Sequence, residues 1–464
     1  MTNTIYSNTN ETRTLFSRAM SEMYQKEVPQ YENLMLLVQQ VNEEVLKKNA
    51  TLQEQLKAHN QLDRLNVERH GAIRVGTQKE LHTLRRLFAV MGMEPVGYYD
   101  LTVASVPVHS TAFRPVTDAA LAHNPFRVFT SLLRLELIED EALREKAAAT
   151  LDQRTIFTPR CLELIQQFEQ IGGLTPNEAN EFVAEALYTF KWHNEATVDS
   201  ETYTSLRAAH PLIADVVCFK GPHINHLTPR TLDIDEVQSR MPTHGMQAKE
   251  IIEGPPARQC PILLRQTSFM ALSEPIYFAG TSNHQGTHSA RFGEVEQRGV
   301  ALTPKGRTLY DTLLAKVRER SLSLPKENYA ENYNTLLTEV FTDFPDNYEA
   351  LRKQELAYFA ASPNLSTLTK KRPAADADWD TLVSEGYVSF TPITYEDFLP
   401  VSAAGIFQSN LGNENANKNY QSSANKNRFE DALGCAVHDE MYLYNALEQQ
   451  SIRKTLQSIF PKSF

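Results

Sequence analysis

The sequence predicts an α+β fold in which two strand–helix–strand–strand units are separated and flanked by helical segments. Three observations carry that expectation. Residues 68–75 read as a strand and are followed by an amphipathic helix and two more strand-like runs. The same order returns between Ile213 and Arg298 with longer connections. Between and around these units, apolar residues recur at three- and four-residue steps and begin at readable helix caps.

Taken in order, residues 8–60 are helical in pattern. Leu34, Leu37, Val38, Val41 and Val45 form an apolar stripe, and Pro29 is expected to break one helix from the next. The heptads do not persist, so a packed helical cap is expected in preference to a coiled coil. Glu68 to Val75 then reads as a strand, Thr77 to Met93 as a helix, and Glu94–Thr102 and Val106–Arg114 as strands. Residues 117–193 return to a helical pattern, with helix starts at Thr158-Pro159 and Thr175-Pro176-Asn177-Glu178. In the second unit the apolar run Ile213–Val217 leads into a strand carrying His226, a short helix covers Asp233–Arg240, and strands follow near 261–271, 276–278 and 288–298. A helix opens at Thr303-Pro304, 327–360 is helical, and Leu365–Asp378 is the best candidate for an exposed linker. A strand pair near 387–394, an Asn-rich loop over 412–427 and a helix over 429–449 complete the chain. The expected segments are therefore 1–60 (helical), 61–116 (first unit), 117–210 (helical insertion), 211–300 (second unit), 301–375 (helices and linker) and 376–464 (a C-terminal segment closing the active site).

Composition narrows the function. The chain has 464 residues with 22 Phe and 18 Tyr, enough for a large core, and a formal net charge of −11. That charge argues against nucleic acid or an anionic membrane as the main partner, since both reward a basic surface. No apolar run approaches the ~20 residues of a membrane span. The first residues lack the basic-then-apolar pattern of a signal peptide. The four cysteines are scattered without paired spacing, which suits a reducing compartment and a cytoplasmic location.

The stretch Cys218–Asp235 places His223 and His226 between Gly221-Pro222 and Pro229. His70 lies in the first unit and Glu294 in the last strand of the second. Together His70, His226 and Glu294 make a two-histidine, one-carboxylate set, which leaves coordination positions open on a divalent metal and suits oxygen-activating Fe(II). Each member alone has an ordinary alternative as a packing or surface residue, and Glu294 has Arg291 and Arg298 as possible ion-pair partners. His223 competes with His226, because residues three apart on a strand point to opposite faces. His288 shares strand parity with Glu294, in an outer position around the metal or at the surface. Arg74 shares His70's strand face and suits a two-pronged grip on a carboxylate; a salt bridge with one of the chain's many acids is the alternative.

Four segments carry a resemblance: ERHGAIRVGT from Glu68, CFKGPHINHLTPRTLDID from Cys218, HSARFGEVEQRG from His288 and FLPVSAAGIFQSNL from Phe398. They resemble the bacterial 2-oxoadipate dioxygenase/decarboxylase family, also called hydroxyglutarate synthase, of the vicinal oxygen chelate superfamily. The resemblance covers nearly the whole chain. It implies paired βαβββ modules around a metal, with Fe(II) held by His70, His226 and Glu294. It also implies a substrate-carboxylate arginine at Arg74 and substrate contacts at Val401 and Ser402, and none of these positions departs from the family pattern. The implied reaction joins O2 to a 2-oxo dicarboxylate, 2-oxoadipate, and yields 2-hydroxyglutarate and CO2 in lysine degradation. No second 2-oxo acid, flavin or nicotinamide is required. Two other classes stay open on the residues: a non-redox metal-dependent lyase or isomerase of the same fold, and a helical binding protein with structural histidines.

Overall fold

Strand β1 (Arg69–Val75) lies inside a five-stranded sheet and carries the first candidate ligand. The computed structural model describes residues 6–58, 61–280, 285–399 and 423–461. After β1 come β2 (Glu94–Asp100), β3 (Val108–Arg114), β4 (Arg127–Leu133) and β5 (Leu227–Pro229), and the sheet order is β2-β3-β4-β1-β5. β1 runs parallel to β4, while β2, β3 and β4 pair antiparallel in turn. The helix Gln78–Val90 makes the crossover between β1 and β2. The first unit is therefore a complete βαβββ module.

Burial explains why these runs form strands. β3 and β4 are buried along their whole length, so both faces of the sheet are covered. On one face Ile73, Val75, Phe113, Val128 and Leu132 pack with Leu81, Leu84 and Phe88 of the crossover helix. With a side-chain period of two, His70, Ala72 and Arg74 point to the other face. The crossover helix starts at a capping box in which Thr77 and Glu80 satisfy each other's backbone N–H groups.

The second unit runs β5, helix Ile234–Arg240, then two long strands, β6 (Leu264–Tyr277) and β7 (Gln285–Arg298), which pair with each other. Arg230, just past β5, bridges in parallel to Glu296 of β7. The N-terminal helices Thr9–Glu27 and Pro29–Lys48 break at Pro29 as expected, and Phe16, Met20, Tyr24, Leu34 and Leu37 join the core.

By contact density the described chain forms two compact units. One comprises the residues up to Glu253 with Gln266–Gln297 and Asp397–His438; the other comprises Gly254–Arg265, Arg298–Glu396 and the residues from Asp439 on. The second contains β8 (Phe359–Pro363) paired antiparallel with β9 (Val388–Pro392), over which Ile459 of the helix Glu440–Ile459 packs with Tyr387 and Val388.

Several sequence expectations are corrected. Residues 117–193 are not all helical, because β4 lies within them; its Val128-Phe129-Thr130 run carries no helix cap and fills the sheet between β3 and β1. Ile213–Val217 is not a strand but most of the helix Pro211–Val217, started by His210 as N-cap and Pro211 in the first turn. The strands expected at 261–271 and 276–278 are one strand, β6. β9 pairs with β8, which begins inside the span 327–360 expected to be helical, so Leu365–Asp378 connects two paired strands. The final helix is two helices, Ser423–Leu433 and Glu440–Ile459, parted at Gly434 with φ 79°.

Candidate metal centre

Three chain segments bring His70, His226 and Glu294 together. His70 sits on β1, facing away from the crossover helix. His226 lies one residue before β5, whose pairing sets Leu227 against Gly71 and Thr228 against His70. Gly71 permits this approach, since a Cβ there would meet Ile224 Cδ1 at 2.5 Å and the His226 carbonyl at 3.1 Å. The backbone of Asn225 donates to Ala72 and accepts from Phe292, which ties the histidine segment to β1 and β7. The hydroxyl of Tyr24 lies 3.1 Å from the Asn225 carbonyl and 2.9 Å from that of Phe292. Glu294 projects from β7 beside Gly293, where a Cβ would meet the Phe269 ring at 1.8 Å. Only glycine leaves room for that ring at the position preceding Glu294.

The ligand atoms of His70, His226 and Glu294 all lie within 4.8 Å of one another, and all three residues are buried. Glu294 Oε1 is 3.0 Å from His70 Nε2 and 3.7 Å from His226 Nε2. Thr228 Oγ1 and Gln266 Nε2 each donate to that same oxygen at 2.9 Å. The other oxygen, Oε2, is buried with no hydrogen-bond partner among the described residues, as is His226 Nδ1.

Electrostatics match a cation site. Burial alone would raise the Glu294 carboxyl, but His226 and His70 outweigh it and hold it below the ordinary value. Burial pulls His226 down to about 4 despite Glu294, so its imidazole is neutral and able to coordinate. Burial also lowers His70, yet Glu296 and Glu294 outweigh it and raise its pKa. Without a metal, the positive charge this pocket favours falls on the His70 ring.

Glu296 is the neighbour that sequence reading missed. Two residues beyond Glu294 it shares that strand face, and its Oε2 lies 2.9 Å from His70 Nδ1. A carboxylate behind a ligating imidazole fixes its tautomer and raises its basicity. Behind it, the buried Glu68 is paired with Arg64, Arg127 and Arg230 at 2.9–3.0 Å. The period-two Glu294/Glu296 pair was the available signal; Arg64 is four residues before Glu68, while Arg127 and Arg230 come from remote segments and had none.

Arg74 lies on the site side of β1, with its Nη1 donating to Asp215 Oδ2 at 3.0 Å. Asp215 also takes a hydrogen bond from His288 at 2.9 Å, and His223 is 3.5 Å away. His223 and His288 are thus gathered around Asp215, and the metal triad takes His226. Phe398 stacks edge-on against His70 with ring centroids 5.0 Å apart, on a segment anchored by the two-pronged Arg114–Asp397 pair at 2.7 and 2.9 Å. Val401 and Ser402 lie outside the described residues.

Two buried imidazoles, one of them held neutral, and a carboxylate with one partnerless buried oxygen fit a divalent transition metal with open positions. The fold and this site define a class, an α+β protein built around a buried His-His-Glu cluster that could hold a metal ion. The chain belongs to the 2-oxoadipate dioxygenase/decarboxylase family, whose model matches residues 16–410. It is 58% identical over 445 residues, 96% of this chain and 97% of the relative, to a 2-oxoadipate dioxygenase/decarboxylase of Escherichia coli (strain K12). It is 39% identical over 455 residues, again 96% of this chain and 98% of the relative, to one of Mycobacterium tuberculosis (strain ATCC 25618 / H37Rv). Among solved structures, the hydroxyglutarate synthase of Pseudomonas putida in complex with 2-oxoadipate matches with a TM-score of 0.92 and 51% identity, covering 98% of this chain and 99% of that one.

Proposed function

We propose that this chain is an Fe(II)-dependent enzyme that converts 2-oxoadipate and O2 to 2-hydroxyglutarate and CO2, in lysine degradation in the cytoplasm. The observation that carries the reading is the buried His70/His226/Glu294 triad in a chain alike over its whole length to a synthase solved with 2-oxoadipate. Fe(II), when bound, supplies the redox chemistry that couples O2 to loss of the substrate's first carboxylate. His70 and His226 would hold the ion through nitrogen and Glu294 through oxygen. Glu296, with Oε2 2.9 Å from His70 Nδ1, would favour a proton on that nitrogen and leave Nε2 free to hold the ion. Thr228 and Gln266 hold Glu294 Oε1, which leaves Oε2 as a second donor atom.

Every 2-oxo acid presents the same chelating end, so selectivity must come from the far carboxylate. Arg74 is assigned that role: it shares His70's face, and its charge reaches the site, where it helps pull His226 down. Val401 and Ser402 are assigned the remaining contacts. Phe398, which lies on His70, is three residues before Val401.

The test is anaerobic loading with Fe(II) followed by O2 uptake against a panel of 2-oxo acids. One O2 consumed and one CO2 released per 2-oxoadipate, with no added 2-oxoglutarate or nicotinamide, is expected. CO2 release under strict anaerobiosis would instead indicate a non-redox lyase.

A further inference from the structure

We infer that Asp215 is a positioning residue for Arg74, held in turn by His288 and Tyr203. Recognition of the far carboxylate then depends on a buried chain of side chains. The inference rests on the reading of Arg74 above.

Donors converge on Asp215 from two sides. The Tyr203 hydroxyl is 2.9 Å from His288 Nδ1, and His288 Nε2 is 2.9 Å from Asp215 Oδ1. Arg74 Nη1 donates to the other oxygen, Oδ2, at 3.0 Å. The consistent assignment has Tyr203 donating to Nδ1, the His288 proton on Nε2, and Asp215 ionised. Trp192 stacks on His288 with rings 8° from parallel, and Phe219 packs against it at 4.8 Å. That packing leaves the imidazole one orientation. His223 is 3.5 Å from Asp215 but only 3.1 Å from the Asn225 side-chain amide, which makes it a neighbour of the chain and not a link in it.

Asp215 is poorly explained as a stabilising residue of its own helix. It lies near the C-terminal end of Pro211–Val217, where the helix dipole disfavours a negative charge. A buried carboxylate is costly unless it is paired, and here Arg74 and His288 hydrogen-bond it while His223 lies 3.5 Å away. What the arrangement achieves is to fix a long, flexible side chain. An arginine free to sample rotamers loses that freedom on binding, whereas one already held does not. The same Asp215 charge also repels an incoming carboxylate. The two effects predict opposite outcomes when the charge is removed, and positioning predicts loss.

The experiment uses the Fe(II)-loaded full chain and reads the ratio of kcat/KM for 2-oxoadipate to that for 2-oxohexanoate, a monocarboxylic acid of equal length. Asp215→Asn is expected to lower the ratio at least tenfold, mainly through KM for 2-oxoadipate. Iron content and 2-oxohexanoate kinetics should stay within twofold. In the Arg74→Ala background the same change should move the ratio less than twofold. A ratio that stays or rises, an equal loss on both substrates, or full additivity with Arg74→Ala would overturn the inference. If Asp215→Asn does not fold, Tyr203→Phe and His288→Gln carry the test: at least a threefold fall in the ratio is expected for one of them, and no fall in either overturns the inference. If Arg74→Ala itself leaves the ratio unchanged, the reading of Arg74 fails. If Arg74→Ala lowers it and Asp215→Asn does not, only the role of Asp215 fails.

Discussion

Glu294 divides its work between two oxygens, Oε1 held by Thr228 and Gln266 and Oε2 left to a ligand. Replacing Glu294, His70 or His226 with Ala should therefore reduce bound iron from one per chain to less than about a tenth, as read by metal analysis after loading. His223→Ala should keep its iron, because His223 turns to Asp215 and Asn225. Glu296→Gln should weaken iron binding by roughly ten- to a hundredfold, as expected when the partner behind a ligating imidazole is altered; unchanged affinity in a metal titration would remove Glu296 from the site. Arg74→Ala should keep iron and lower kcat/KM for 2-oxoadipate by about ten- to a hundredfold, the loss of one charge-assisted hydrogen bond worth roughly 1.5–3 kcal/mol. Arg74→Lys should restore only part of it, since an ammonium lacks the two-pronged geometry.

At the scale of elements, the site depends on two close approaches, at Gly71 and at Gly293. Gly293→Ala would drive a methyl group into the Phe269 ring, 1.8 Å from the ideal Cβ. It should cost about 1–3 kcal/mol of stability and weaken iron binding by tilting β7. Denaturant unfolding and metal titration measure the two effects, and Phe269→Leu should recover part of both. Elements with strong local signals were legible in the sequence. The break at Pro29, the starts at Thr158, Thr175 and Thr303, and the run β1–helix–β2–β3 all follow from caps and periodicity. β4 and the helix Pro211–Val217 were not, because a short apolar run fits either a buried strand or a buried helix until its neighbours are known. The triad was readable as a candidate because each member sits in a strand or beside one. The Asp215 cluster was hidden by the misread helix, since a strand there would point the carboxylate elsewhere.

For the molecule as a whole, buried histidines set the response to acid. His109 and His226 are held down to about 4 and His223 to about 3, each chiefly by burial. Unfolded, these rings take up protons near 6.5, so the unfolded state binds more protons between that pH and about 4. Stability contributed by their neutral forms is intact above 6.5 and lost as pH falls through this window. His70, raised by its two carboxylates against burial, acts in the opposite sense: it contributes stability below 6.5 that is lost as pH rises through its folded value. Between 6.5 and about 4 His70 is protonated in both states and offsets nothing, so these three rings contribute up to three protons, or roughly 4 kcal/mol per pH unit. Below about 4 the depressed carboxyls of Asp215, Glu68 and Glu294 add a further loss. The iron-free chain should therefore show a Tm that falls steadily from pH 6.5 to 4, and a flat profile would contradict the burial of these rings. No described helix is long and apolar enough to cross a membrane.

The central claim is that a metal held by His70, His226 and Glu294 joins O2 to the substrate's own decarboxylation. Turnover of 2-oxoadipate under 18O2, followed by mass spectrometry of the isolated 2-hydroxyglutarate, tests it most directly. The account predicts two labelled oxygens per product, one in the new hydroxyl and one in the newly formed carboxylate, apart from exchange with water. A product whose hydroxyl carries only solvent oxygen would contradict it.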